Sequence, residues 1–144
     1  MSVPSASADQ TPDTGWNGPL LATLLREANG AAEASLAAAL ALADGQPPPR
    51  VAWLVQHLSV LKRGHWEEIA AQLGAANPPA EFNLSALCRW EVEQAGTLSG
   101  EQIAARVQAD GQSFTVAGLL RLNARHTVWH AGQIAALCRG PRLA

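Results

Sequence analysis

Apolar residues recur every three to four positions through most of the chain, which is the period of an α-helix. From about Pro19, leucines and alanines keep this spacing as far as about Ala43, and we predict a first helix over that range, softened at Gly30. The segment DGQPPPR at 44–50 ends it, because proline lacks a donor N–H and clashes with the preceding turn. A loop is therefore expected between the first and second helices.

The same period predicts three further helices. Their ends are expected at glycines, prolines and capping Ser or Asn residues, which favour helix boundaries. The second helix is expected from Val51 to Gly74, with Gly64 as a weak point in its middle. The third is expected from Asn83 or Ser85 to Val107, with interruptions at Gly96 and at SGEQ (99–102). The fourth is expected from Thr115 to Cys138, and the pair Gly140-Pro141 is expected to end it.

Four helices with short connections predict an all-α fold, with an antiparallel four-helix bundle as its architecture. No stretch alternates apolar and polar residues for long enough to predict a strand, and Tyr is absent from the sequence. Residues 1–16 lack the helical period and are rich in Ser, Pro, Thr, Ala and Asp, which predicts a disordered N-terminal tail. The bundle domain is then expected over residues 17–144.

Composition and charge narrow the expected partners. The 144-residue chain is 48% hydrophobic, which is enough to form a core without disulfides. Ten Lys and Arg against twelve Asp and Glu give a net charge of −2 with no basic cluster, so we expect no nucleic-acid partner. No secretory signal and no apolar run of roughly 20 residues is present, so we expect a cytoplasmic protein with no membrane span. Cys88 and Cys138 are widely spaced and are predicted to be reduced core residues.

Polar residues interrupt the expected buried seam of the fourth helix. A buried imidazole or amide without a partner costs about 1 to 3 kcal/mol, so polar groups on such a seam need a ligand or hydrogen-bond partners. His126 and His130 are separated by roughly 6 Å along the helix axis and about 40° around it, which lets both imidazoles reach one metal ion. With steps of three and four residues, the seam runs through Val116, Leu119, Asn123, His126, His130, Gln133 and Leu137.

A third metal ligand would have to come from another helix. His57 is the natural candidate, because it lies among leucines on the buried stripe of the second helix. His65 is about 12 Å further along that helix and roughly 80° around it, so we place it at the surface or in an interface, and Glu68 is too distant to be a good ligand. Thr127 follows His126, so the HExxH sequence of zinc proteases, with its general base, is missing.

The residues alone leave two interpretations open. In the first, His57, His126 and His130 bind a metal, and in the second the histidines are metal-free core residues that hydrogen-bond to Asn123 and Gln133. These two amides could also hydrogen-bond a ligand or orient a histidine. Arg121 and Arg125 could hold a substrate carboxylate, or could simply be solvated. The tryptophans at 53, 66, 90 and 129 are predicted to be packing residues.

The chain resembles the DinB/YfiT-like four-helix-bundle superfamily over about residues 19–140. The resemblance rests on the order of helices and loop, on VAWLVQHLSVLKRGHWEEI in the second helix and on LLRLNARHTVWHAGQIAAL near the C-terminus. The segment HAGQI at 130–134 is similar to the usual HxGQI of that family. The resemblance implies that His57, His126 and His130 bind a divalent metal ion, with water in the remaining positions.

The resemblance also implies what the metal would do. Relatives include metal-dependent transferases or isomerases that use low-molecular-weight thiols such as bacillithiol or mycothiol, so a thiol transferase or a related hydrolase is expected, with a thiol and an electrophile as partners. The alternative is a non-catalytic stress-response bundle that binds a metal or a small molecule. Three imidazoles suit zinc or nickel best, and also iron, copper or manganese. Members of the family often dimerise, so the resemblance also implies a homodimer.

Overall fold

The computed structural model describes residues 15–43, 45, 47–80 and 83–139. Residues 1–14, which make up most of the predicted tail, lie outside this range. The described residues form a mostly helical fold, as the sequence predicts, with a short hairpin in addition. The elements are α1 (Gly18–Gly30), α2 (Leu36–Leu40), α3 (Pro49–Leu73), α4 (Leu84–Thr97), α5 (Gly100–Ala104), β1 (Arg106–Ala109), β2 (Gln112–Thr115) and α6 (Val116–Arg139).

The two long helices, α3 and α6, have ends within two residues of the predicted ones. Pro49 begins α3, where the fixed φ of proline suits the first turn, and Gly74 ends it in the left-handed conformation with φ +70°. Gly64 does not interrupt α3. The predicted stop of α6 at 140–141 lies outside the described residues. Of the helices described, none is long and apolar enough to cross a membrane.

The first predicted helix is in fact two helices. Gly30 is the last residue of α1, and Ala34 in the connection has a positive φ of +52°. The Ser35 hydroxyl accepts a hydrogen bond from the Ala38 N–H at 3.1 Å and so caps the start of α2. The prediction of one continuous helix to Ala43 was wrong, because a terminating glycine and a capping serine outweigh the helix propensity of the alanines around them.

A β-hairpin replaces the last part of the third predicted helix, where the sequence predicted no strand. The capping box of α5 forms as predicted, between Ser99 and Gln102, but α5 ends at Ala104. Strand β1 then pairs antiparallel with β2, in a register from Arg106 opposite Thr115 to Ala109 opposite Gln112. Asp110 and Gly111 have φ of +51° and +75°, which are values of a type I′ turn. The hairpin buries Val107 and Phe114 against the helices.

The core lies between the helices in two apolar clusters. The larger joins α1, α3 and α6 to the hairpin, and the smaller joins α2, α3 and the start of α4 to the second half of α6. Both α1 and α3 contact α4 and α6, and α2 also packs on α6. Trp16, which the sequence placed in the tail, packs against the larger cluster.

Candidate functional site

Helices α3 and α6 bring His57, His126 and His130 together. The ring centroids of His57 and His130 are 5.0 Å apart with the rings nearly perpendicular at 89°, and those of His126 and His130 are 6.3 Å apart. A metal bound through an imidazole nitrogen at about 2.1 Å lies about 3 Å from the ring centroid, so two rings that share an ion are about 5 to 6 Å apart. The spacing of His57 and His130 therefore fits one shared ion, whereas His126 and His130 lie slightly further apart than this range.

The rings do not yet point at a common centre. Within the described ranges, no group of three or more His, Cys, Asp or Glu side chains is arranged so that it could hold a metal ion. The ring of His57 instead stacks on Trp53, with centroids 4.8 Å apart and planes 11° apart. The Nδ1 atom of His130 lies 2.7 Å from Oε1 of Gln133. Binding of one ion by these three histidines would thus require their side chains to rotate away from these contacts.

The protonation of His57 and His126 suits metal binding. Burial lowers the pKa of both side chains, and the positive charge of nearby His130 lowers both further. Arg50 adds to this effect at His57, and Arg125 at His126. The neutral imidazole that results is the form that binds metals. In addition, Nδ1 of His126 is buried without a hydrogen-bond partner, so this ring has a nitrogen that a ligand could satisfy.

Gln133 is placed to orient one of these rings. Its Oε1 can accept a hydrogen bond from the Nδ1–H of His130, which leaves the Nε2 lone pair of that imidazole available for a metal. Gln133 itself is exposed to solvent. Of the two amides that the sequence suggested for an orienting role, Gln133 is therefore the one in contact with a histidine.

The predicted seam of α6 is buried over its first half only. Leu119 and Asn123 are buried, whereas Gln133 and Leu137 are exposed, and the buried face of the second half instead includes Ile134. A seam with an average step of 3.5 residues drifts around a straight helix of 3.6 residues per turn, by about 20° per heptad. The predicted burial of Gln133 and Leu137 was therefore wrong. His126 and His130 lie where the seam leaves the core, and both are half-buried.

Asn123 belongs to a buried network and not to the histidine site. Its Oδ1 accepts a hydrogen bond from Nζ of Lys62 at 2.6 Å, and its Nδ2 donates to Oε1 of Glu91 at 3.0 Å. Asn123 is therefore a satisfied amide of the buried seam, and its side-chain hydrogen bonds go to Lys62 and Glu91. The sequence contained a signal for this network, since Lys62 and Glu91 both fall at helical spacing among apolar residues.

The two arginines separate in the structure. Arg125 borders an open cleft of about 520 Å³ together with Leu122, Trp129 and the histidines of α6. Arg121 lies instead with its guanidinium carbon 5.1 Å from the ring centroid of Trp16. Of the two, Arg125 is therefore placed beside the histidines, where it can contact a ligand.

Two tryptophans near the histidines are exposed. Trp53 is 49% exposed and Trp129 is 69% exposed, so the prediction that they are packing residues was wrong for these two. Trp66 is buried, and its ring meets that of Trp90 edge to face at 5.3 Å, as expected of packing residues. The outer face of Trp53 carries the guanidinium of Arg50 at 4.3 Å. Trp129, which lines the cleft of the histidines, therefore offers a flat apolar surface to a ligand, whereas the ring of Trp53 is in contact with Arg50 and His57.

His65 is buried, and its predicted place at the surface was wrong. It is only 4% exposed, and both of its ring nitrogens lack hydrogen-bond partners. Burial lowers its pKa to about 4, although the negative charge of Asp110 opposes the shift. The prediction failed because α3 is covered on this side by the hairpin that the sequence did not predict. His65, Glu68 and Asp110 line a small cleft of about 210 Å³ there.

The cysteines are both free, as predicted. Cys88 is buried and Cys138 half-buried. Burial raises the pKa of the Cys88 thiol to about 11, so this thiol stays protonated near neutral pH. Cys88 is therefore unsuited to act as a nucleophile.

No protein-family model, curated protein or solved structure matches the chain. The resemblance to the DinB/YfiT-like superfamily therefore rests on the residues quoted above.

Proposed function

We propose that His57, His126 and His130 bind one divalent metal ion, in a protein of the DinB/YfiT-like superfamily. The observation that carries this proposal is the approach of His57 on α3 to His130 on α6, with ring centroids 5.0 Å apart. Contacts of both α1 and α3 with α4 and α6 are those expected if these four helices form a bundle. Zinc or nickel is the preferred ion, with iron or manganese as alternatives.

The proposed activity is metal-dependent transfer of a low-molecular-weight thiol to an electrophile, or a related hydrolysis. When bound, the ion would lower the pKa of a thiol or water and supply a nucleophile near neutral pH. Three protein ligands are typical of catalytic zinc sites, which keep a position open, whereas structural sites are closed by four. Gln133 would hold the ring of His130, and Arg125 would bind a carboxylate of the substrate.

A second candidate function is non-catalytic binding of a metal or small molecule, as in a stress-response accessory protein. One observation favours it: the cleft beside the histidines is lined by Leu122, Arg125 and Trp129, with no carboxylate among its lining residues. If the histidines bind the ion, no carboxylate among the described lining residues is then left to act as a separate general base. We also propose a homodimer in the cytoplasm, which acts on small molecules and not on nucleic acid.

The metal site is tested with purified protein, by elemental analysis and by titration with Zn²⁺ and Ni²⁺ in a calorimeter. Wild type should bind about one equivalent, and this binding should be lost in His57→Ala and in the double variant His126→Ala/His130→Ala. Gln56→Ala is the matched control, because Gln56 is the exposed neighbour of His57 on α3. Equal metal content in the double variant and in wild type would refute the site.

The activity is tested separately, once metal binding is established. Metal-loaded protein is incubated with bacillithiol, mycothiol or glutathione and a panel of electrophiles, and conjugates are measured by mass spectrometry. Conjugation that requires both the metal and His126 would support the transferase. Binding of metal without conjugation or hydrolysis would favour the accessory function instead.

A further inference from the structure

A second, larger cleft lies between α1 and α6, and we call it the α6 groove. It has a volume of about 790 Å³, within the range of about 300 to 1,000 Å³ that is usual for small-molecule sites. Its walls include Leu24 and Ala28 of α1 and Ala124, Val128, Trp129 and Gly132 of α6. The groove is therefore large enough for an organic molecule of two or more rings.

Most of the surface of the α6 groove is apolar. The charged residues on its walls are Glu27, Glu33 and Arg125, and the others are aliphatic, aromatic or glycine. Two of its apolar side chains, Val128 and Trp129, are 42% and 69% exposed. Exposed apolar surface that forms a concave wall is typical of a ligand site, because a ligand of like character removes it from water.

The α6 groove adjoins the cleft of the histidines. Arg125 and Trp129 line both clefts, so these two side chains form the common border of the groove and the cleft. Trp129 is 69% exposed, and a molecule in the groove that crosses this border reaches the side of His126 and His130.

We propose that the α6 groove binds the uncharged, apolar body of a small molecule, and that the reactive end of this molecule lies at the histidines. The second clause rests on the function proposed above, and it makes the electrophile of that reaction an apolar compound. The first clause, binding in the groove, is independent of any metal. The walls carry two acidic residues and one basic residue among eight uncharged ones, so apolar contact dominates the groove and an uncharged ligand fits it best.

Gly132 allows the groove to be blocked without damage to the fold. A Cβ atom placed on Gly132 meets no atom within 4 Å, so a larger side chain there enters open space. Gly64 in the middle of α3 has the same property but lines the small cleft beside His65. The variants Gly132→Leu and Gly64→Leu are therefore a matched pair, since each replaces a helical glycine by the same strong helix former.

The test uses the uncharged fluorescent probe N-phenyl-1-naphthylamine with metal-free protein. Wild type and Gly64→Leu should bind it saturably and alike, and Gly132→Leu should bind it at least tenfold more weakly. Equal binding by the two leucine variants, or no saturable binding by wild type, would overturn the proposal. A third result would also overturn the proposal: wild type is a dimer that does not bind the probe, and Gly132→Leu is a monomer that does. A second copy of the chain would then cover the groove in wild type.

The junction with the histidines is tested with the same bound probe. Ni²⁺ should quench its fluorescence in wild type but not in the double variant His126→Ala/His130→Ala. The two proposals can fail separately. If the probe binds but no metal does, the metal site is refuted and the proposal of a binding groove stands. If a metal binds but the probe does not, the proposal of the groove alone is refuted. Metal and probe that both bind without quenching would refute the extension of the ligand to the histidines.

Discussion

Lys62 on α3 and Glu91 on α4 form an ion pair inside the core, with Nζ 2.5 Å from Oε2 and the side chains 1% and 0% exposed. The same carboxylate accepts hydrogen bonds from Asn29 of α1 at 2.7 Å, and from Trp66 of α3 and Asn123 of α6 at 3.0 Å each. One buried side chain thus connects all four longer helices. Such a network specifies how the helices meet, because any other packing would leave the charges unpaired.

Removal of Glu91 should therefore destabilise the protein strongly. In Glu91→Ala the ammonium of Lys62 is left buried without an opposite charge, which typically costs about 3 to 5 kcal/mol. The measurement is urea unfolding followed by circular dichroism. The double variant Lys62→Met/Glu91→Leu should recover part of the loss, since no buried charge remains, although Asn29, Trp66 and Asn123 still lose the carboxylate as their acceptor.

Glu93→Ala is the control for this series, because Glu93 lies on the same helix and is exposed. Its unfolding midpoint should stay close to that of wild type. If Glu91→Ala unfolded at the same urea concentration as Glu93→Ala, the ion pair would have no part in holding the helices together.

His65 should make the protein less stable in acid. Its pKa is about 4 in the folded chain and about 6.5 in the unfolded chain, so between these values only the unfolded chain binds the proton. The contribution of neutral His65 to the free energy of unfolding is therefore complete above pH 6.5 and is lost as the pH falls towards 4. A pKa difference of about 2.5 corresponds to about 3 kcal/mol. Asp110 and Glu91 reduce the shift, while Lys62 and His126 increase it.

The measurement is the free energy of unfolding of wild type and of His65→Leu at several pH values between 4 and 7. Leucine fills the site but does not titrate, so the profile of the variant should be flatter by about 3 kcal/mol over this range. Parallel profiles for the two proteins would show that His65 titrates alike in the folded and unfolded chains.

The helices could be predicted from the sequence because their signals are local. In α3, apolar residues at helical spacing lie between a starting proline and a terminating Gly74, and the structure follows both signals. The four-residue strands of the hairpin are too short to show a reliable alternation. The turn itself had a recognisable signal, since the pair Asp110-Gly111 is typical of a two-residue hairpin.

Substitution of Gly111 should test how much the hairpin depends on its turn. With φ at +75°, alanine at this position would cost about 1 to 2 kcal/mol, because its Cβ clashes in the left-handed conformation. Gly100→Ala is the matched control, as Gly100 begins α5 and a Cβ there meets nothing within 4 Å. Thermal unfolding should show a lower midpoint for Gly111→Ala only. Equal midpoints would mean that the turn contributes little to stability.

The part of the candidate site that depends only on the faces of single helices could be predicted from the sequence. The part that depends on contacts between several helices and the hairpin could not. The approach of His57 to His130 follows from two stripes on two long helices. The burial of His65 depends on the hairpin, and the network around Glu91 requires partners on four helices. No spacing along one helix identifies such partners, because they meet only in the folded chain.

Gln133 should strengthen metal binding through its contact with His130. The Oε1 atom lies 2.7 Å from Nδ1 of the imidazole, so it favours the tautomer that leaves Nε2 for the ion and holds the ring in place. Loss of such a partner typically weakens metal binding by about 10- to 100-fold. Titration calorimetry with Zn²⁺ should show this for Gln133→Leu, whereas Gln56→Leu should bind as wild type does. Because Gln133 is exposed, its loss should leave the unfolding midpoint unchanged, which separates an orienting role from a structural one. Equal affinities in Gln133→Leu and wild type would show that the histidine needs no such partner.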